Sequence, residues 1–225
     1  MSNTSCTPRV LTGGPIFTGR QVLDDTALII ENGAIVDIVP AASVKAGDEV
    51  MDAEGRVIAP GFVNAHHHEY SALATGLARG GSCFPEILEN LWWRLDDALD
   101  LESVRLSARW TWLNCLRHGV TTVFSHHASY GAIAGSLEAM SGEAARIGVS
   151  AVLCFEVSDR HGPAARDAAI RENLAPEMNP RAQRMMGLHA SFTLSDETLE
   201  KVRNALPDGM GVHDHCAEDA IDLED

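Results

Sequence analysis

The sequence has few basic residues for its acidic content. It holds 17 Lys and Arg against 32 Asp and Glu, which gives a formal net charge of −15 at pH 7. Such a surface repels polyanions, so neither nucleic acid nor an anionic membrane is expected as a partner.

Long apolar runs are also missing. No run approaches the roughly 18 residues that a membrane-spanning helix needs. The N-terminal residues MSNTSCTPRV lack the basic and apolar regions of a signal peptide. The sequence therefore predicts a cytoplasmic protein.

Cysteine pairs at metal-binding or redox spacing are absent. The five cysteines form no CxxC motif and lie far apart, at Cys6, Cys83, Cys115, Cys154 and Cys216. A chain of this size does not depend on disulfides for stability, so free thiols are predicted.

Short apolar runs and turn signals alternate through the first 58 residues. The runs Ala27–Ile30 and Ile35–Val39 flank Asn32-Gly33, a dipeptide typical of tight β-hairpins. We therefore interpret residues 1–58 as a small β-domain. In residues 59–225, apolar runs alternate with helical patterns, which indicates a second domain.

The sequence pattern of the second domain predicts five strands separated by helices. The predicted strands are Phe62–Ala65, Thr121–Ser125, Ser150–Phe155, Met185–Leu188 and Gly211–His215. The predicted helices are Glu86–Ala98, Leu101–Arg117, Ile133–Ile147, Ala164–Asn173 and Asp196–Leu206. Such units predict an α/β fold with a parallel sheet, and histidines at the C-terminal ends of four strands favour a (β/α)8 TIM-type barrel.

Five strands are too few for an eight-stranded barrel. The sequence therefore predicts a barrel truncated after its fifth strand. The unpaired edge of such a sheet would invite association, so a homo-oligomer is one expectation.

Three histidines in a row follow the first of these strands. In extended backbone, side chains alternate between faces, so His66 and His68 point the same way and His67 points away. Their Cα atoms are then about 6.5 Å apart, a span that two imidazoles can close onto one ion. A lone HxH pair is also compatible with solvated or hydrogen-bonded histidines.

A second HxH pair ends the fifth strand. His213 and His215 are followed by Glu218, and a carboxylate near a metal ligand is typical of metal-assisted hydrolysis. The alternative is that both histidines are buried polar residues and Glu218 opens a helix. Because both pairs end barrel strands, together they favour a metal site.

Two further strand ends supply candidate substrate contacts. His189 follows the fourth strand and would face the same mouth. Of His126 and His127 after the second strand, only one can face the mouth, and His127 is taken as the substrate contact. The alternative is that His126 and His127 are polar residues at the rim of the barrel with no part in the reaction.

The motif Pro60-Gly61-Phe62-Val63-Asn64-Ala65-His66-His67-His68 resembles the PGFVNAHTH-type signature of the amidohydrolase superfamily, in its cytosine deaminase-like and chlorohydrolase-like branch. The similarity continues, in family order, through Gly119-Val120-Thr121-Thr122, Gly187-Leu188-His189-Ala190 and His213-Asp214-His215-Cys216-Ala217-Glu218. Within that branch, Glu156-Val157-Ser158-Asp159-Arg160 looks like the SsnA-type aminohydrolases.

The resemblance implies a (β/α)8 barrel with a composite β-sandwich domain and one divalent metal ion, zinc or alternatively iron. It also implies that His66, His68 and His215 are metal ligands, that Glu218 is a proton shuttle and that His189 contacts substrate. His213 is not a usual ligand in this branch. The family's sixth-strand histidine and eighth-strand aspartate have no match in this sequence.

These observations lead to the hypothesis of a metal-dependent aminohydrolase acting on a C–N bond of a nitrogen heterocycle, with a small-molecule substrate. A chlorohydrolase or a cyclic-amide hydrolase on the same scaffold is the first alternative, since ligands and fold do not choose the leaving group. A catalytically inactive metal-binding fragment is the second.

Overall fold

The computed structural model describes residues 9–77, 80–177 and 179–223, with the side chains of residues 222 and 223 left out. The chain divides into two compact units, one ending at Gly61 and one starting at Phe62. The predicted domain boundary, between residues 58 and 59, is slightly earlier. Cys6 lies outside the described residues, and the other four cysteines are free thiols.

The first unit is built from short strands joined by tight turns. Its strands are β1 (Arg9–Thr12), β2 (Ile16–Phe17), β3 (Val22–Leu23), β4 (Thr26–Glu31), β5 (Ala34–Pro40) and β6 (Glu49–Asp52). A four-stranded sheet has the order β5-β4-β1-β6, and β2 pairs with β3.

The predicted hairpin at Asn32-Gly33 is confirmed, because β4 and β5 pair antiparallel across it. Both turn residues have positive φ, +51° and +79°, which suits the right-handed twist of a two-residue hairpin. Ile16, Leu28 and Ile58 form the small core of this unit.

Every predicted strand of the second unit is present. The strands are β7 (Phe62–His67), β8 (Val120–His127), β9 (Ser150–Val157), β10 (Ala182–Arg184), β11 (Met186–Ala190) and β12 (Val212–His215). The main sheet has the order β12-β11-β9-β8-β7, with parallel pairing throughout. The short strand β10, which the sequence patterns did not predict, pairs with β9.

Helices follow the strands as predicted, with some shifted boundaries. They are α1 (Phe84–Ile87), α2 (Trp93–Ala98), α3 (Leu101–Arg117), α4 (Ser136–Ile147), α5 (Gly162–Leu174) and α6 (Asp196–Ala205). A π-helical turn, Leu88–Trp92, joins α1 to α2. The fourth helix begins at Ser136 and not at Ile133, because Gly135 has φ +83°, a left-handed conformation that breaks the helical path.

The main core lies among the sheet and its helices. Phe155 of β9 packs in one cluster with Trp112 of α3 and with Leu137 and Met140 of α4, and all four side chains are fully buried.

The predicted fold class is confirmed: α/β, with parallel strands and intervening helices of the (β/α)8 type and a small N-terminal β-domain. No helix among the described residues is long and apolar enough to cross a membrane.

Candidate metal centre

Three histidines from two strands converge at one end of the sheet. His66 lies near the end of β7, His68 directly follows that strand, and His215 ends β12. Their ligand atoms lie within 4.8 Å of one another. His67 is not one of the three. It lines a groove with Trp110 and Cys115 of α3 that His68 also borders, which agrees with the alternation of side chains along an extended strand.

The three Nε2 atoms form a nearly equilateral triangle. His66 and His68 are 3.1 Å apart at Nε2, and His215 Nε2 is 3.2 Å from each of them. Nitrogen ligands about 2.0–2.1 Å from a tetrahedral zinc ion would be about 3.3 Å apart. The triangle therefore has the size that a divalent metal ion requires.

Hydrogen bonds alone cannot account for this triangle. A neutral imidazole nitrogen is either a donor or an acceptor, so three nitrogens in mutual contact include at least one pair of the same kind. That pair repels. A cation at the centre accepts a lone pair from each ring and removes the conflict, so the residues present fit a metal ion.

Contacts at the other ring nitrogens orient two of the rings. His68 Nδ1 donates to the main-chain carbonyl of His126 at 2.8 Å, which leaves its Nε2 as a lone-pair donor. His66 Nδ1 is 2.8 Å from Nε2 of His213. Such outer contacts fix the tautomer of a metal-binding histidine. His213 thus supports His66 and lies outside the three-histidine cluster.

Burial keeps these imidazoles neutral. Desolvation lowers the pKa of His68 to about 4, opposed by the hydrogen bond to the His126 carbonyl and reinforced by His66. Desolvation and the neighbouring imidazoles lower the pKa of His215 to about 3. The pKa of His66 is also lowered, by burial and then by His67. Neutral imidazole is the form that binds metal.

The structure does not bring His127, predicted as a substrate contact, into the cluster. Its side chain is fully buried, with Nδ1 2.8 Å from Glu69 and Nε2 2.9 Å from Ser129. Both ring nitrogens are therefore occupied away from the cluster. The adjacent His126 is the one beside the metal site, with its ring centroid 4.3 Å from that of His215.

A cavity of about 260 Å³ adjoins the cluster and includes both remaining predicted site residues. His189 and Glu218 line it together with His68 and His215. Ala217, between His215 and Glu218, has φ +58°, which non-glycine residues rarely adopt. This turn lies between His215 of the three-histidine cluster and Glu218, the residue predicted to move protons.

His189 is held in one orientation. The Thr193 hydroxyl donates to the Ala190 carbonyl at 2.7 Å, so its oxygen accepts from Nδ1–H of His189 at 2.9 Å. That leaves Nε2 of His189 as an acceptor. Burial, with Arg160 nearby, lowers the pKa of His189 to about 4. The ring is neutral and can accept a hydrogen bond from a substrate.

Sequence patterns missed two acidic residues on the wall of the same cavity. Asp96 of α2 and Glu156 of β9 line it, and each is 2% exposed. Arg160 donates from Nη2 to both, at 2.5 Å. Glu156 lies next to the last residue of β9, where the other strands of the sheet carry a histidine at or next to their last residue, and that position was the available signal. The position of Asp96 on a helix gave no such signal.

Comparison with known proteins gives the family. The amidohydrolase family matches residues 57–225, and the NagA composite domain matches residues 10–58. The chain belongs to the amidohydrolase family, so the resemblance stated from the motifs is confirmed.

Two curated relatives are deaminases. A 5-methylthioadenosine/S-adenosylhomocysteine deaminase of Thermococcus sibiricus is 32% identical over 182 residues, covering 78% of this chain and 41% of the relative. A 5'-deoxyadenosine deaminase of Methanobrevibacter smithii is 28% identical over 206 residues, covering 88% of this chain and 46% of the relative. The chain thus spans a little under half the length of these relatives.

A solved structure shares the fold. The crystal structure of an adenosine deaminase from Xanthomonas campestris with bound zinc superposes with a TM-score of 0.76 at 20% identity, covering 96% of this chain and 51% of that chain. At this identity the similarity supports the fold alone.

Proposed function

We propose that this protein is a metal-dependent aminohydrolase that replaces an amino group on a nitrogen heterocycle by oxygen and releases ammonia. The observation that carries the proposal is the triangle of Nε2 atoms with 3.1–3.2 Å edges. The deaminase names of the two curated relatives give it further support.

In this proposal His66, His68 and His215 hold one divalent cation. Zinc is the first choice, since the Xanthomonas structure contains zinc, and iron is the alternative because imidazole also suits it. The bound ion would lower the pKa of water toward about 7 and so supply a nucleophile at neutral pH.

The protein's own residues bind the substrate and move its protons. His189 accepts a hydrogen bond at Nε2 from an N–H group of the substrate and so orients the ring. Glu218, on the wall of the same cavity, takes one proton of the attacking water at its carboxylate and delivers it to a ring nitrogen. The second proton of that water goes to the leaving amine. The balance is one water consumed and one ammonia released.

The test of this function is ammonia release by the zinc-loaded chain from a panel of amino-substituted purines, pyrimidines and triazines. Glu218→Gln should keep one equivalent of zinc but lose about 10²- to 10⁴-fold in turnover, the usual contribution of a proton-transfer group. Asp219→Asn, one residue further along, is the matched control and should retain activity.

Other outcomes identify the alternatives. Chloride release without ammonia release would indicate a chlorohydrolase, and ring opening of a cyclic amide would indicate the related amide hydrolase. One equivalent of bound metal without turnover of any substrate would favour a metal-binding role without catalysis. Full activity in Glu218→Gln would remove the proposed role of that residue.

A further inference from the structure

The active-site cavity has a second polar surface, formed by Asp96 and Glu156, which we call the acidic wall. Asp96 lies on α2 and Glu156 near the end of β9, and both line the cavity that contains His68, His189 and His215. Two carboxylates so deeply buried are uncommon unless a partner compensates them.

A single arginine compensates the acidic wall only in part. Arg160 reaches both carboxylates through the same nitrogen, Nη2, and its Cζ lies 4.4 Å from the centroid of the Tyr130 ring. Its Nε and Nη1 atoms are buried without hydrogen-bond partners. One guanidinium opposes two carboxyl groups, so a formal charge of −1 remains when both are ionised.

The acidic wall and His189 present hydrogen-bond acceptors to the cavity, and the unpaired donors near them, among the described residues, are Nε1 of Trp93 and Nε and Nη1 of Arg160. Asp96 Oδ1 is buried and has no hydrogen-bond partner, which is costly for a carboxylate oxygen. His189 Nε2 is an acceptor, as its contact with Thr193 dictates, and lies 3.7 Å from Glu156 Oε2. Two neighbouring acceptors cannot bond to each other, so a ligand with N–H groups would satisfy both.

Aromatic rings complete this part of the cavity. Phe84, Trp92 and Trp93 line it beside Asp96. Indole faces attract cations as well as flat apolar rings. Carboxylates next to aromatic faces therefore favour a flat ligand with a positive nitrogen group.

We propose that the acidic wall binds a cationic nitrogen group of the substrate, an amidinium or a protonated amino-heterocycle, within the same cavity as the metal site. The inference rests on the proposed function, since it takes this cavity as the substrate site. An anionic group would meet Asp96 and Glu156 first, because Arg160 does not itself line the cavity among the described residues.

The titration of the wall agrees with this geometry. Burial and the charge of Glu156, opposed by Arg160, raise the pKa of Asp96 to about 7. Burial also raises the pKa of Glu156, again against Arg160. A bound cation would supply the positive charge that both carboxylates lack.

The test compares three ligands of one shape and different charge: benzamidine, benzamide and benzoate. Their binding is measured by calorimetry at neutral pH on the chain stripped of metal by chelation, with circular dichroism to verify the fold. We expect benzamidine to bind at least about tenfold more tightly than benzamide, since a charge-assisted hydrogen bond contributes about 1.5–3 kcal/mol. Benzoate should bind most weakly.

Variants assign the selectivity to the wall. Asp96→Asn should weaken benzamidine binding about tenfold and leave benzamide binding unchanged, and Glu156→Gln serves as a second variant should the first not fold. The matched control is Asp97→Asn, the neighbouring exposed carboxylate, which pairs with His161 at 2.7 Å and should bind benzamidine as the parent does.

Tighter binding of benzoate or benzamide than of benzamidine would overturn the proposal, as would equal benzamidine affinity in Asp96→Asn and the parent chain. Failure of the proposed function would look different. If the chain binds no zinc but still prefers benzamidine, the acidic-wall proposal stands and the aminohydrolase proposal is refuted. If the chain binds zinc and releases ammonia but does not prefer benzamidine, the aminohydrolase proposal stands and the acidic-wall proposal is refuted.

Discussion

Side-chain direction along a single strand decides which of three consecutive histidines can share a metal ion. His66 and His68 lie on the cluster side, and His67 faces α3. The separation follows from the two-residue period of extended backbone, so it could be derived from sequence. The same period could not choose between His126 and His127, because it gives alternation without saying which residue of a pair faces inward.

Two alanine variants test this assignment at the residue scale. His68→Ala should weaken zinc binding more than about 100-fold, because it removes a ligand and outer-sphere changes alone cost about 10- to 100-fold. His67→Ala should leave zinc affinity nearly unchanged. Zinc content by mass spectrometry and competition with a chelating dye give the two affinities.

The control for these variants is His118→Ala. His118 caps the C-terminal end of α3, where Nδ1 lies 2.8 Å from the carbonyl of Asn114. Its loss should not affect zinc. Equal loss of affinity in His67→Ala and His68→Ala would contradict the alternation argument.

At the scale of secondary-structure elements, the close approach of two strands requires glycine at one position. Gly187 lies in β11, and a Cβ added there would be 2.4 Å from the carbonyl oxygen of Phe155 in β9. No real side chain tolerates that distance, so the pairing of β9 with β11 depends on glycine. The sequence shows a glycine before His189, but the contact that requires it is visible only in the fold.

Gly187→Ala should therefore destabilise the protein by about 1–3 kcal/mol, the usual cost of overpacking. Gly142→Ala is the matched control. Gly142 lies inside α4 with nothing within 4 Å of an added Cβ, so alanine should stabilise that helix by about 0.5–1 kcal/mol. Urea unfolding measures both; a neutral Gly187→Ala would mean that the two strands can separate without cost.

A carboxylate fixes the start of α6. Ser195 caps the helix by accepting from the main-chain nitrogen of Thr198, a role that serine commonly has at helix N-termini. Asp159, from the loop after β9, accepts from the main-chain nitrogen and the hydroxyl of Ser195 at 2.8 Å each. It also accepts from the Thr198 hydroxyl at 2.6 Å. The contribution of Asp159 was not predictable, because this carboxylate comes from a distant segment.

Stability should depend on the ionisation of Asp159. Burial opposes ionisation, but hydrogen bonds from Thr198 and Ser195 outweigh it and lower the pKa of Asp159. Because the pKa is lower in the folded state, ionised Asp159 stabilises the folded protein at pH values above the unfolded-state pKa of about 3.9. That stabilisation is lost as the pH falls through the folded-state pKa. Asp159→Asn should cost about 2 kcal/mol at pH 7 and progressively less below pH 4.

Urea unfolding of Asp159→Asn and the parent chain at neutral and acidic pH measures this effect. Asp208→Asn, at an exposed turn after α6, serves as the control and should change stability by less than about 0.5 kcal/mol at either pH. A cost of Asp159→Asn that stays constant with pH would show that ionisation of this carboxylate does not stabilise the fold.

At the scale of the whole molecule, the three-histidine cluster joins the two outer strands of the sheet. β7 and β12 stand at opposite ends of the order β12-β11-β9-β8-β7, yet His66 and His215 touch. Curvature of a barrel-type sheet brings them together. The five strands and the strand-end position of the histidines were predictable from periodicity. The acidic wall was not predictable from the sequence, because it forms only when α2 and β9 lie side by side.

Zinc should therefore stabilise the second unit as a whole. A ligand that binds only the folded state at 100 times its Kd adds about 2.7 kcal/mol. The melting temperature should rise with zinc concentration in the parent chain and in His67→Ala. It should not rise in His215→Ala, in which the link between β7 and β12 is lost; a zinc-dependent rise in that variant would place the stabilising ion elsewhere.

The most direct measurement is anomalous diffraction at the zinc edge from crystals of the chain grown with zinc. The account predicts one strong peak at about 2.0–2.1 Å from the Nε2 atoms of His66, His68 and His215. A peak on other residues, or three rings turned outward around no ion while the protein binds one equivalent of zinc, would contradict it.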